Sequence, residues 1–287
     1  NYNWSTPYIQ TWNLSGHREI WPGNIINLTY AGSAGVNMLA RNNQNQMFHP
    51  SEATIQGLED NLGVTAAVPW YVVDYSVQNS QWYRIHNIDT YCHSNYHSFQ
   101  GSFSHRFQDG LQFQVNYTWS TAFDNNSESV YSLGNTSPFA SDYYNLDYDR
   151  GYAAFDVTQV FSGNFIYELP FGPGKWLGGD SEGWLAQLIG GWQVNGIVTA
   201  NTGYPLDYKV ARDTLGTGYT NNRGPARPNV TTYEFSTDPT NNIVGPTAAN
   251  FSFASSVINL RNPQGDYYRG KFRGPGYWNM DFSLFKD

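Results

Sequence analysis

Cysteine, charge and long apolar runs are all scarce in this sequence. Cys92 is the only cysteine among 287 residues, which excludes an internal disulfide framework and a multi-cysteine metal module. Asp, Glu, Lys and Arg together make up 13% of the chain, about half the usual share. The net charge of −8 argues against a nucleic-acid-binding protein, which normally carries a basic surface. No apolar run approaches the roughly 18 residues that a membrane-spanning helix needs.

Aromatic residues are abundant instead. Trp, Tyr and Phe account for 17% of the residues, enough apolar surface to order the chain, so disorder is not expected. No signal peptide is visible at the beginning, and the last residues stop inside an apparent strand. Both ends therefore predict a piece of a longer protein.

The clearest pattern is a period of two between residues 111 and 119. Every odd residue there is apolar or aromatic and every even residue is an uncharged polar one, which predicts a strand with one apolar and one polar face. Residues 99–107 alternate more weakly, and Asp109-Gly110 between the two segments predicts a tight hairpin turn. Similar alternation near residues 12, 28, 160, 196 and 281 brings the expected number of strands to at least seven, with few helices.

Two classes of β protein share this alternation: a soluble sandwich or barrel and a membrane barrel. The polar faces carry Gln, Asn, Ser and Thr, as expected for a lumen. Nine residues in a strand span roughly 30 Å, or roughly 21 Å along the normal when tilted, close to the ~25 Å apolar band of an outer membrane. Residues 120–154 and 204–275 form long links and residues 108–110 and 170–190 compact ones, which is typical of long outer loops and short periplasmic turns. We therefore predict an all-β fold, part of an antiparallel transmembrane β-barrel with long extracellular loops.

This interpretation assigns the apolar positions to lipid contact. The expected lipid-facing residues are Leu111, Phe113, Val115, Phe161, Phe165, Val194, Val198, Met280 and Phe282. Aromatic rings at strand ends are expected to meet the lipid headgroups. These aromatic girdle residues are Tyr117, Trp119, Trp192 and Trp278.

Six groups of motifs, in chain order, carry a family resemblance. They are Thr6–Ser15 with Leu28–Gly35, Asn95–Gln100 with Tyr117–Ser120, Asp149–Gly151 with Phe155–Val157, Tyr167–Gly172, Gly190–Val194, and Arg273–Asp281. Together they resemble Oar-like TonB-dependent outer-membrane receptors. Residues 51–94 and 206–265 fall outside the resemblance, as expected for variable outer loops. Thr158-Gln159 departs from it, because relatives tend to carry basic residues there.

The resemblance implies a barrel of about 22 strands with an N-terminal plug, energised by the TonB complex. Residues 1–287 would be a partial barrel domain with about eight or nine of those strands, and the plug, TonB box and closing strands would lie elsewhere. The implied function is uptake of a bulky solute (a carbohydrate, peptide or chelate) across the outer membrane of a Gram-negative bacterium. The implied partners are outer-membrane lipid, the plug and the TonB complex; no cofactor and no enzymatic activity are expected.

Two other functions remain open at this stage. A secreted soluble β-sandwich that binds glycans would also use many aromatic residues. A surface hydrolase would need an acid/base pair or a nucleophile cluster, and the sequence offers neither.

Several short motifs resemble chemical sites without meeting their requirements. Gly172–Lys175 lacks the spacing of a phosphate-binding loop. Ala31–Gly35 lacks the first glycine of a nucleophile elbow, and a turn is expected there.

Two clusters have the side chains of a metal site but lack another of its requirements. Cys92, His93 and His97, with His86 nearby, offer zinc ligands, yet a loop or the start of a strand is expected there, which favours a structural role. Asp142, Asn145, Asp147 and Asp149 offer oxygen ligands for calcium without the glycine spacing of an EF-hand. No catalytic or metal-binding residue is therefore predicted.

Residues 143–150 form the most ligand-like stretch. Tyr143 and Tyr144 can stack on a sugar or peptide, while Asp147, Asp149 and Arg150 can fix its orientation. These five residues are the predicted ligand contacts, and the solute itself is not identified by the sequence.

Overall fold

The computed structural model describes residues 4–45, 52–62, 67–69, 81, 85–127, 140–210, 226–236, 245–252, 257–259 and 265–286. Two α-helices lie in these ranges, α1 (Glu52–Leu62) and α2 (Gly183–Ile189). The strands are β1 (Tyr8–Trp21), β2 (Asn24–Asn43), β3 (Ala67–Pro69), β4 (His86–Gln108), β5 (Leu111–Asp124), β6 (Gly151–Tyr152), β7 (Gln159–Glu168), β8 (Trp192–Asn201), β9 (Pro205–Leu206), β10 (Val257–Asn259), β11 (Phe272–Arg273) and β12 (Tyr277–Lys286).

One antiparallel sheet dominates the fold. Its strands follow the order β1-β2-β4-β5-β7-β8-β12, with β6 paired to β5, which makes eight strands. The pairs β3–β10 and β9–β11 form two small separate sheets. Within the described ranges β1 and β12 are the free edges, so the barrel is not closed there. The all-β antiparallel prediction and the expected number of strands are confirmed.

Several strands extend further than the alternation indicates. β4 begins at His86, inside a segment expected to be a variable loop, and Asn95 and Tyr96 lie in its middle. Ala31–Gly35 lies inside β2 and pairs with both β1 and β4, so the expected turn is wrong. Small residues are needed there because the Trp12 indole lies over Gly32, where an added Cβ would come within 2.5 Å of the ring.

The links differ at the two ends of the sheet. At one end, called the turn end, residues 22–23, 109–110 and 169–191 connect neighbouring strands. At the other, called the loop end, the connections run over residues 44–85, 125–158 and 202–276. Asp109 and Gly110 both have positive φ (51° and 78°), as the predicted hairpin turn requires.

The register places most apolar positions of the long strands on one side of the sheet, called the apolar face, while a few, such as Val160, Ile166 and Ile197, lie on the opposite side. Phe113 pairs with Phe165, Phe165 with Gly196, and Gly196 with Phe282. Because neighbours in register share a face, the apolar face is continuous from β4 to β12. The opposite side, called the polar face, carries a row of hydrophilic residues across the whole sheet: His17, Asn27, Ser102, Asn116, Ser162, Thr199 and Asn279.

Side-chain hydrogen bonds link neighbours in this polar row. Asn27 Nδ2 donates to Ser102 Oγ at 3.0 Å, and Asn116 Nδ2 donates to Ser162 Oγ at 3.3 Å. Amide and hydroxyl groups thus satisfy one another without charge, while keeping further donors and acceptors for water or a ligand.

Most of the buried side chains lie at the loop end, and most of them are polar. Large apolar side chains of the sheet are exposed instead: Phe282 is 64% and Trp278 73% exposed. A soluble sandwich would bury this face under a second sheet, and among the described residues nothing covers it. Such a large exposed apolar surface is typical of a membrane or protein contact. No helix in the described ranges is long and apolar enough to span a membrane.

Candidate functional site: the loop cluster

Three Arg–Asp ion pairs join the loops at the loop end. Their aspartates, Asp124, Asp149 and Asp156, come from the end of β5 and from the β5–β7 link. Their arginines, Arg227, Arg269 and Arg273, come from the β8–β12 link. The pairs are Arg227–Asp149, Arg269–Asp124 and Arg273–Asp156, and these six residues are called the loop cluster. Two long loops are thereby fastened to each other and to the sheet.

The loop cluster covers the polar face of the sheet near the loop end. Ser98 and Ser120 point to that face and are buried, whereas Phe99 and Trp119 beside them on the apolar face are exposed. Ser120 Oγ donates to the carbonyl of Val157 at 2.9 Å, which holds the β5–β7 link against the sheet. The cluster therefore closes the space over the polar face and leaves the apolar face open.

Asp156 and Asp124 extend the hydrogen bonding of β5 beyond its regular ladder. The Asp156 carboxylate accepts from the backbone N–H of Ala122 at 2.5 Å and also from the Arg273 guanidinium. Asp124 accepts from Arg269, which donates as well to the Asp124 carbonyl at 2.6 Å. Both carboxylates thus have charged partners, as buried carboxylates require.

Arg227 and Asp149 form the most deeply buried pair. Their side chains are 1% and 9% exposed, with Nη2 and Oδ1 2.7 Å apart. Burial by itself would raise the pKa of Asp149, but the Arg227 guanidinium and two hydrogen bonds from Ser141 lower it below the ordinary value. Burial also raises the pKa of the Tyr148 hydroxyl to about 12. The pair is therefore fully ionised and Tyr148 neutral at physiological pH.

A group of aromatic rings supports the arginine-bearing loop. Phe272, which is fully buried, lies between Arg273 and Lys271 in sequence and anchors that loop. Ring centroids within about 6 Å of Phe272 belong to Tyr208, Tyr233, Phe235, Phe251 and Tyr267. This packing fixes the backbone that presents Arg269 and Arg273.

Several hollows among the described residues border the loop cluster. A cavity of about 140 Å³ lies between Tyr91, Asn125, Asp149, Arg227 and Arg269, enough for a few water molecules and too small for a bulky solute. The second hollow measures about 490 Å³, the size of a ligand site, and is called the loop groove. It is lined by Phe123, Asp147, Tyr148, Arg150, Asp266, Tyr267, Tyr268 and Arg269, with Gly265 at its edge.

The structure separates the five predicted ligand residues. Asp147 and Arg150 both line the loop groove, and the Arg150 N–H donates to the Asp147 carbonyl at 3.0 Å, which closes the last turn after the 3-10 helix Leu146–Asp149. Asp149 points away into the ion pair with Arg227. The rings of Tyr143 and Tyr144 meet edge to face, 5.4 Å between centroids, outside the groove lining.

All nine residues expected to face lipid lie on the apolar face: Leu111, Phe113, Val115, Phe161, Phe165, Val194, Val198, Met280 and Phe282. The four expected girdle residues share that face at two heights. Tyr117, Trp119 and Trp278 lie near the loop end, and Trp192 lies at the turn end.

The side chains considered as metal ligands have other surroundings. Cys92 is buried, while its neighbour His93 points to the opposite face of β4. His97 Nδ1 lies 2.8 Å from the Tyr30 hydroxyl. Asp142 accepts from the backbone N–H of Tyr144 at 2.9 Å. The side chain of His86 lies outside the described part of the chain, and within that part no three His, Cys, Asp or Glu residues are placed to hold a metal.

Sequence reasoning missed the arginines of the loop cluster. The segment Arg269–Arg273 is recognisable as a short basic exception in an acidic chain, but nothing in it indicates which carboxylates it meets. Arg227 and Asp149 are 78 positions apart, with no shared motif. The available signal was the scarcity of charge: in a chain with so few charged residues, each arginine is conspicuous.

One comparison with known proteins gives a match. The family described as "Outer membrane beta barrel domain" matches residues 1–287. No curated protein and no solved structure matches the chain.

Proposed function

Because the chain belongs to the outer membrane beta barrel domain family, and the protein therefore lies in the outer membrane, we propose that it forms part of a receptor for uptake of a bulky solute. The strands act as a wall and the loops as the selective entrance. No covalent chemistry is involved. This proposal agrees with a TonB-dependent mechanism, as the sequence resemblance implies.

The observation that carries the proposal is that the loop cluster covers the polar face of the sheet and leaves the apolar face exposed. In a membrane barrel with an aqueous interior, apolar side chains face lipid and polar ones the lumen. The loop cluster lies over the polar face, so in a closed barrel it would narrow the outer end of the lumen. Loops tied across a lumen can select what enters it.

The remaining partners follow from the two faces. Outer-membrane lipid would cover the apolar face, and a plug in the same full-length protein would contact the uncharged polar row. Movement of that plug would be driven by the TonB complex. The polar row suits such a contact because its amide and hydroxyl groups can exchange one partner for another at little cost.

The loop groove is the proposed first contact of the solute. Tyr268 is 43% exposed there and offers a flat apolar ring. Asp147, Arg150 and Asp266 supply acceptors and donors of both charges around it. A ring beside mixed charges suits an oligosaccharide or a short peptide better than a strongly charged chelate.

Uptake by cells that carry the full-length protein tests the function. The probes are labelled malto-oligosaccharides, tri- to hexapeptides and ferric chelates, each supplied with and without a protonophore. We expect one class to accumulate and the protonophore to abolish its accumulation. Accumulation of none of the three classes, or accumulation that the protonophore leaves unchanged, would contradict the proposal.

A further inference from the structure

The 169–191 link at the turn end exposes large apolar side chains that lie outside the strands of the sheet. Trp176 is 85% and Trp184 76% exposed, the two most exposed tryptophans among the described residues. Leu177, Leu185 and Leu188 of the same link are also exposed. A short link that only turned the chain would have no need of these five side chains, since turns favour Gly, Pro, Asn and Asp.

The link has a defined shape. Leu177 N donates to the Pro170 carbonyl at 2.9 Å, and Gly172 N donates to the Leu177 carbonyl at 2.8 Å. Gly172 has a φ of 102°, and an added Cβ there would come within 2.4 Å of Gly190 Cα. The two ends of the link therefore cross in close contact, and the exposed rings are held on an ordered framework.

Two hydrogen bonds place the end of α2 on the apolar side of the sheet. Trp192 Nε1 donates to the Leu188 carbonyl at 2.9 Å, and Lys286 Nζ donates to the Gly190 carbonyl at 2.8 Å. Trp192 and Lys286 pair with each other in register and belong to the same face as Val194 and Leu284. The helix is thus continuous with the apolar face.

Helix α2 has one exposed side and one half-buried side. Trp184, Leu185 and Leu188 are exposed, whereas Ala186 and Ile189 are half-buried against the link. Positions i, i+1 and i+4 lie on one side of a helix, so the exposed apolar residues form a single stripe. The Lys286 ammonium lies 5.6 Å from the centre of the Trp192 ring, an aromatic ring beside a cation as is common where a protein meets lipid headgroups.

We propose that the 169–191 link is a membrane-interface anchor, in which α2 lies in the headgroup region of the inner leaflet with Trp184, Leu185 and Leu188 toward the acyl chains. The inner leaflet follows from the turn end, since short turns of such barrels face the periplasm. The occupant is phospholipid, because the stripe continues the face that the proposed function assigns to lipid. The inference rests on the proposed function to the extent that the apolar face is lipid-covered.

Site-directed fluorescence on the full-length protein tests the anchor. Leu188→Cys and Trp184→Cys are labelled with an environment-sensitive fluorophore in a Cys92→Ala background, and the protein is inserted into phosphatidylethanolamine–phosphatidylglycerol vesicles. Asp180→Cys in the same link is the matched control. We expect quenching by lipids brominated near the headgroup to be about twofold or more stronger at positions 184 and 188 than at position 180, with aqueous iodide giving the reverse order.

Two further labels distinguish failure of the anchor from failure of the lipid-facing wall. Val115→Cys reports the apolar face and Asn116→Cys the polar face, and retarded migration of the unheated protein in detergent gels verifies folding. Bromolipid quenching at 115 without quenching at 184 and 188 overturns the anchor alone. Absence of quenching at 115 overturns the lipid-facing wall itself. Labels at 184 and 188 that are shielded from both quenchers also overturn the anchor, because they indicate a protein partner in place of phospholipid.

Discussion

Arg227 Nη2 lies 2.7 Å from Asp149 Oδ1, and this buried ion pair is one of the contacts that join the β8–β12 link to the β5–β7 link. Arg227 also reaches Asp207, with Nε 3.3 Å from Oδ1, and donates to the Tyr148 carbonyl at 3.0 Å. One guanidinium therefore holds three segments of the loop end together.

Removing this guanidinium should open the loops without unfolding the sheet. Arg227→Ala leaves the Asp149 carboxylate buried and unpaired, which typically costs about 3 to 5 kcal/mol. Limited proteolysis of the full-length protein should then cut within residues 140–158 at a much higher rate. Lys175→Ala is the matched control, because it breaks the exposed Lys175–Glu168 pair at the other end and should cost about 1 kcal/mol or less. Equal protection of both variants would mean that the buried pair does not hold the loops.

Acid should release the same loops at a low pH. The folded-state pKa of Asp149 is lowered, so its contribution to stability is complete above the ordinary value of 3.8 and disappears as the pH falls through the folded value. We expect pepsin to cut residues 140–158 only when the pH is below 3.8, the ordinary pKa of an aspartate. In Arg227→Ala the onset should move to higher pH, because only the two hydrogen bonds from Ser141 then oppose the effect of burial on the pKa of Asp149. An onset that does not move would show that another group controls the release.

Gly196 should tolerate no larger residue under Phe165. An added Cβ would come within 2.4 Å of the Phe165 ring, so Gly196→Ala must displace the ring and should destabilise the sheet by about 1 to 3 kcal/mol. Urea unfolding of the vesicle-inserted full-length protein measures this. Gly16→Ala on the same face has no atom within 4 Å of the added Cβ and should have little effect. Phe165→Leu combined with Gly196→Ala should recover part of the loss.

The two faces of β5 should respond differently to a charge. Val115→Arg places a cation on the apolar face and should cost about 2 to 4 kcal/mol in a membrane, whereas Asn116→Arg on the polar face should be nearly neutral. The same urea unfolding measurement applies. Similar costs for the two variants would contradict the assignment of the apolar face to lipid.

The loop groove should control solute affinity independently of stability. Tyr268→Ala and Arg150→Ala remove the exposed ring and the unburied cation of the groove, and either change should weaken binding about tenfold, the equivalent of one lost anchor contact. Equilibrium binding of whichever labelled probe class the cells accumulate measures this. Tyr144→Ala, outside the groove lining, is the control. A loss as large in Tyr144→Ala would move the site to the Tyr143–Tyr144 pair.

Local patterns in the sequence were sufficient to predict which strand residues lie on the apolar face and which on the polar face. Strict alternation from Leu111 to Trp119 correctly assigned each residue to a face, because successive side chains of a strand point to opposite sides whatever the partner strand is. Asp109-Gly110 specified its turn for an equally local reason, since both residues readily adopt positive φ. Where the prediction was wrong, at Ala31–Gly35, small residues were mistaken for a turn although they accommodate the Trp12 ring from the neighbouring strand.

The candidate site was only partly predictable. The stretch from Tyr143 to Arg150 was recognisable by its composition, but two of its five residues line the loop groove and a third is committed to an ion pair. The alternate use of Asp147 and Asp149 depends on the 3-10 helix, which no hydrophobic period indicates.

By itself, the sequence determined that this chain builds long antiparallel strands with one apolar and one uncharged polar face, joined by short and long links in alternation. These properties depend on the chemistry of adjacent residues and on the fixed geometry of the extended backbone. Only the tertiary structure decided that Arg227 meets Asp149 and that α2 continues the apolar face. Such contacts join residues far apart in the chain, and they exist only after the strands have paired and brought the links together.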